Sequence, residues 1–242
     1  MILVQRCRSL RTAALMGLIS ATSAWSQGLD VTGKVVITRS SSHSSHGASL
    51  SADVVVWLTP TQKSSLPSMQ KNTQQYKLVQ KDKSFTPHLL VVPTGSSIDF
   101  PNLDPFFHNV FSLFNGKRFD LGLYEAHSHR SVLFDREGVS YIFCNIHPEM
   151  GAIVITLNTH YYAISRADGS FTIQNVSPGT YRVDVWAENA TNDVLAALSR
   201  NIDVAPGSSR IDTIQVKVTG DISKGHKNKF GEDYPATARA PY

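Results

Sequence analysis

The chain is poor in cysteine. Its 242 residues include two, Cys7 and Cys144, too few for a scaffold stapled by several disulfides. It also lacks a long amphipathic helical pattern, and no apolar run is long enough to span a membrane comfortably. Charge of one sign is missing as well: 23 Lys and Arg stand against 19 Asp and Glu. That balance gives no electrostatic case for a nucleic-acid partner. Methionine is scarce, with four in the chain, which weighs against a methionine-rich tract. What is present is 41% hydrophobic and 17% charged residues, enough for one large or two small folded domains.

Residues 1–26 read as a secretory signal peptide. Arg6, Arg8 and Arg11 form an acid-free positive start, an apolar run follows from Ala13 to Ala24, and Ala24 and Ser26 are small residues at plausible cleavage positions. The expected location is therefore periplasmic. Removing the leader takes three of the 23 basic residues and leaves 20 against 19 acidic ones. It also removes Cys7, so Cys144 becomes the sole thiol and no internal disulfide can form. A lone thiol in an oxidising compartment is a liability unless it is buried or occupied.

The rest of the chain is strand-like. "LDVTGKVVIT" and "SADVVVWLTP" are rich in Val and Ile with partial alternation. "RSSSHSSHGAS" is a Ser/His/Gly loop, and "TPTQKSSLPSMQKNTQQ" is a polar, Pro-punctuated linker. Residues 76–157 read as short strands separated by turns such as Pro93-Thr94-Gly95-Ser96 and Asp135-Arg136-Glu137-Gly138. Residues 161–218 repeat that pattern around Ala-Asp-Gly, Ser-Pro-Gly-Thr and Ala-Pro-Gly-Ser turns. Residues 220–242 are polar and non-periodic, and are expected to be a flexible tail. The expected class is all-β.

Chemistry concentrates in "FCNIHPEM", residues 143–150. Cys144, His147 and Met150 supply thiolate, imidazole and thioether from one turn. With one more histidine they make the ligand set of a blue-copper centre, and "DPFFHNVFS" offers His108 at a strand start. Three other readings stand beside this one: a Cys/His nucleophile and base, a zinc site, and a buried Cys with a surface His and a packing Met. His43 and His46 form an H-x-x-H pair in the Ser-rich loop, and His127 and His129 would share a face if they lie on a strand. His88 is either a satisfied strand histidine or a group beside the metal.

Residues 76–157 resemble the cupredoxins, the plastocyanin-like blue-copper domains. "FTPHLLVVPTGSSIDFPNLDPFFHNVFS" is similar to the family's strand, turn and first histidine followed by Asn-Val, and "YIFCNIHPEM" to its ligand loop. The C-x-x-H-x-x-M spacing is the short, amicyanin-like form. "CNIHPEM" together with "DPFFHNVFS" and "FDLGLY" also resembles bacterial proteins labelled methylamine-utilisation or plastocyanin-like. The resemblance implies a Greek-key β-sandwich with one type 1 copper held by His108, Cys144, His147 and Met150. It implies that His147 sits in an exposed loop and serves as the electron port, that Asn109 bonds across to the Cys144 loop, and that Pro148 stiffens that loop. The protein would then be no enzyme but a carrier of single electrons, docking transiently to a redox partner near His147. Two other functions fit less closely: copper handling without electron transfer, and an envelope-binding module with a vestigial copper site.

"ISRADGSFTIQNVSPGTYRVDVWAE" resembles the carboxypeptidase regulatory-like, transthyretin-like sandwich. That family's first strands are matched far upstream, by "TGKVVIT" and "DVVVWLTP". The expected organisation is therefore discontinuous: this second sandwich from residues 28–70 and 158–219, with the cupredoxin-like domain, 71–157, inserted between. The alternative is an elongated copper domain beginning near residue 28, followed by an independent sandwich.

Overall fold

The computed structural model describes residues 28–39, 52–62, 74–113, 116–218 and 227–234. The leader with Cys7, and the loop with His43 and His46, lie outside the described residues. The expected all-β class holds, with one short helix added. The strands run as β1 (Leu29–Arg39), β2 (Val55–Pro60), β3 (Tyr76–Lys77), β4 (Val79–Lys81), β5 (Ser84–Thr86), β6 (Leu89–Pro93), β7 (Ser96–Pro101), β8 (His108–Ser112) and β9 (Phe119–Tyr124). There follow β10 (His129–Phe134), β11 (Gly138–Cys144), β12 (Gly151–Leu157), β13 (Tyr162–Ile164), β14 (Ser170–Val176) and β15 (Gly179–Trp186). The helix α1 (Asn192–Leu198) precedes β16 (Arg200–Val204) and β17 (Ile214–Val218).

Turn chemistry sets the strand boundaries. Gly95, Gly169 and Gly207 have φ of 88°, 80° and 81°, the left-handed values glycine adopts without steric cost. The β4–β5 hairpin turns through Asp82 and Lys83, both at positive φ (53° and 55°), as a two-residue primed turn requires.

Two sandwiches result. In the first, the sheet β6-β12-β11-β8-β9 faces β10-β7-β3 across a core that includes Phe100, Val110, Phe134, Ile142 and Val154. In the second, β14-β1-β17 faces β13-β2-β15-β16 across Val35, Leu58, Phe171, Tyr181 and Val216, among others. β1 pairs with β14 and β17, and β2 pairs with β13 and β15. The N-terminal strands thus belong with the last third of the chain, and the site-bearing strands β3–β12 come between them in sequence.

The sandwiches share a third apolar layer. Val55, Val91, Ile153, Ile155, Leu157 and Trp186 are buried together there. Alternation explains how one strand serves two layers. Ala152 and Val154 of β12 point into the first core, while Ile153 and Ile155 point into the shared layer. A strand buried on both faces is almost continuously apolar, and "AIVITL" has a single polar residue, the buried Thr156.

Candidate metal centre

The site lies where two antiparallel neighbours end. β8 opens at His108 and β11 closes at Cys144, which pairs with Val110. The loop from Cys144 to Met150 is pinned by its own backbone. Cys144 N donates to the Met150 carbonyl at 3.2 Å, Met150 N to the His147 carbonyl at 3.1 Å, and Asn145 N to the Asn109 carbonyl at 2.9 Å. The register therefore brings the end of one strand and the start of another to the same point.

His108, Cys144 and His147 converge there, all buried, with one donor atom of each within 4.8 Å of the others. Both imidazoles present Nδ1 to the sulfur: 3.6 Å from His108 and 3.5 Å from His147. The rings meet edge to face at 4.9 Å. Bonds of about 2.0–2.3 Å from one ion to imidazole and thiolate, about 110–120° apart, separate the donors by roughly 3.5–3.8 Å, so the observed spacing fits a shared ion. Met150 is fully buried in the same apolar cluster as Cys144. Of the residues named from the sequence, His108, Cys144 and His147 converge at the β8–β11 end of the first sandwich, and Met150 closes the same loop.

Asp104 gives the cluster its polarity. It is buried, and its Oδ2 accepts from His108 Nε2 at 2.8 Å. That bond puts the proton on Nε2 and leaves the Nδ1 lone pair facing Cys144, the arrangement that orients metal-bound histidines. The same carboxylate accepts the N–H groups of Asp82 (2.6 Å) and Lys83 (3.1 Å) at the β4–β5 turn. Burial works to raise the Asp104 pKa, but these bonds from Lys83, His108 and Asp82 outweigh it and hold the carboxyl below its usual range. Asp104 is not among the residues that donor type and spacing expose. Its signal was the i, i+4 spacing in "DPFFH".

Burial dominates the donors themselves. It lowers the His108 pKa and takes His147 down to about 4, helped there by charge on His108. It raises the Cys144 thiol, although backbone N–H groups of Asn109, Ile146 and His147 favour the thiolate. Two neutral imidazoles and a thiol that yields its proton on binding suit a soft transition-metal ion.

Several expectations need correction. His147 is 8% exposed, not an open port. The Phe106 ring lies 5.3 Å from His108 and 5.5 Å from His147, with Lys83 Nζ 5.5 Å above it. A ring following the Asp-Pro turn caps the imidazoles, and the loop's length gave no hint of it. The expected bond between Asn109 and the Cys144 loop is present, from Asn145 N to the Asn109 carbonyl, while the Asn109 side-chain amide donates to Asp120 at 2.8 Å. His127 sits in a turn at φ 59° while His129 opens β10, so they do not share a strand face. His88 is not one of the converging donors and is bonded to the Gly151 carbonyl (3.2 Å) and to Glu188 (3.1 Å). Within the tail expected to be flexible, residues 227–234 bond to Cys144 and Asn145. Composition reports the lack of periodicity there but not the side-chain bonds that substitute for it.

Comparison with known proteins gives partial likenesses. A family model described as polysaccharide lyase family 4, domain II, matches residues 150–210, much of the stretch whose motif resembles the carboxypeptidase regulatory-like sandwich. A search of curated proteins finds no match. Among solved structures, a purple cupredoxin from Nitrosopumilus maritimus is 22% identical over 34% of this chain and 100% of its own, with a TM-score of 0.31. An amicyanin mutant in its oxidized state is 17% identical over 34% of this chain and 82% of its own, at 0.33. A copper-containing nitrite reductase from Thermus scotoductus SA-01 is 17% identical over 50% of this chain and 28% of its own, at 0.34.

Proposed function

We propose that this protein is a periplasmic carrier of single electrons, with one type 1 copper ion held by His108, Cys144, His147 and Met150. The observation that carries the reading is the pair of Nδ1 atoms 3.5–3.6 Å from a buried thiol, with Asp104 on the far side of one ring. Copper, when bound, supplies the one-electron couple. The chain's own residues do the rest. His108 and His147 offer neutral nitrogen, Cys144 offers the soft anion, and Met150 offers a weak thioether from the apolar side, the donor set of a blue-copper site. Phe106 excludes water. The buried, prearranged cluster limits the rearrangement that each change of charge demands.

The redox partner docks transiently on the apolar rim. Leu103, Phe107 and Ile146 are exposed in the two loops that carry His108 and His147. Exposed apolar side chains grouped in this way suit a small, short-lived interface.

The test is a visible spectrum after addition of Cu(II). An intense band near about 600 nm, from thiolate-to-copper charge transfer at a His/Cys site, is expected, and Cys144→Ser should abolish it. A folded, copper-loaded sample without the band would overturn the reading.

A further inference from the structure

Residues 227–234 form a small turn of their own lying on the ligand loop. Asn228 Oδ1 accepts from Phe230 N and Glu232 N at 2.9 Å each, and Gly231 N donates to the Asn228 carbonyl at 2.9 Å with Gly231 at φ 83°. From this turn three bonds reach the site. The Tyr234 phenol donates to the Cys144 carbonyl at 2.8 Å. Lys229 N donates to Asn145 Oδ1 at 2.9 Å. Lys229 Nζ pairs with Asp120 Oδ2 at 2.7 Å.

These bonds close a ring. Asp120 Oδ1 accepts from the Asn109 side chain, and the Asn109 carbonyl accepts from Asn145 N. The strap therefore touches both halves of the site: the loop carrying Cys144 and His147, and the β8–β9 ladder that opens at His108. The loop itself has two internal backbone bonds, Cys144 to Met150 and Met150 to His147. A ligand loop held only by those two bonds would be loosely placed, because a site is only as exact as the groups holding it.

We propose that the 227–234 strap is a clamp on the metal centre, with Tyr234 as its positioning residue. The clamp rests on the reading of this cluster as a metal site. It holds the Cys144 carbonyl from outside, so that the loop must break the phenol bond before it can swing away from β8. Sealing against reagents and retention of the metal follow from the same bond.

The test uses the full chain with Cys7→Ser, which leaves Cys144 as the sole thiol. Tyr234→Phe removes the donor and keeps the ring. Asp233→Asn alters an exposed strap residue as a control. In metal-free protein, Tyr234→Phe should raise the rate at which Cys144 reacts with an aromatic disulfide by about three- to tenfold, the factor expected for one net hydrogen bond. In copper-loaded protein it should speed loss of copper to a chelator by a similar factor and shift the thiolate band. The thermal midpoint should fall by only about 2–4 °C, and Asp233→Asn should change none of these. A wild-type thiol rate in Tyr234→Phe overturns the clamp, even if the copper spectrum is as expected. A faster thiol rate in a chain that never binds copper supports the clamp and overturns the metal reading instead.

Discussion

At the scale of single residues, four side chains act on the donors or their loop: Asp104 holds His108, Phe106 caps both imidazoles, Asp120 bonds Asn109 and Tyr234 bonds the Cys144 carbonyl. Cys144, His147 and Met150 stand in one short motif, and His108 precedes an Asn-Val pair, so residue type and spacing expose them. Asp104, Phe106, Asp120 and Tyr234 act through a carboxylate, a ring face and a phenol whose targets only the fold supplies. Asp104→Asn keeps the shape but removes the charge and disturbs the His108 tautomer. It should weaken copper affinity by about 10- to 100-fold, measured by competition with a chelator. Phe106→Ala should let water reach His147. Its pKa in the metal-free protein, held near 4 by burial, should rise toward the ordinary imidazole value in an NMR titration. The unfolded chain takes up the His147 proton near pH 6.5 and the folded one only near 4, so the metal-free fold loses stability as pH falls through that window.

At the scale of elements, turn residues and β-branched runs mark the strands in the sequence, whereas the helix α1 leaves little trace there. α1 follows Thr191, whose side chain accepts from Val194 N, with Asp193 in its first turn. Both are start signals, but seven residues with no fully buried position give no amphipathic period to detect. The Gly-x-Val pattern of β1 has a packing reason. A Cβ on Gly33 would come within 2.4 Å of the Phe171 ring, which is itself buried in the second core. Gly33→Ala should therefore cost about 1–3 kcal/mol through overpacking, seen as a lower denaturant midpoint with an unchanged slope.

At the scale of the whole molecule, the shared layer decides whether the two sandwiches behave as one. Trp186 lies buried in it beside Ile153 and Val55, and its side chain hydrogen-bonds Tyr141 of β11. Trp186→Ala should cost about 3–5 kcal/mol and split a single calorimetric transition into two. The His88–Glu188 pair, 3.1 Å apart and partly exposed, ties the same faces together. Its bond to Glu188 raises the His88 pKa against the pull of burial. The contribution is then complete below about pH 6.5 and fades as pH rises through the raised value. Glu188→Gln should flatten that part of the melting-temperature profile, and the effect should be small because the pair is solvated.

The pairing of β2 with β13 has a consequence for how such a chain is put together. Trp57 stands opposite Tyr162, and Leu58 N bonds the Tyr161 carbonyl. To the second sandwich these strands are the two arms of a hairpin whose connecting loop happens to be an entire fold. Loop length adds to closure entropy only logarithmically, so the hairpin holds its register whatever is threaded through its tip. A short turn grafted between those arms should leave a host that still folds, and another fold with close-set ends should fit in the same place.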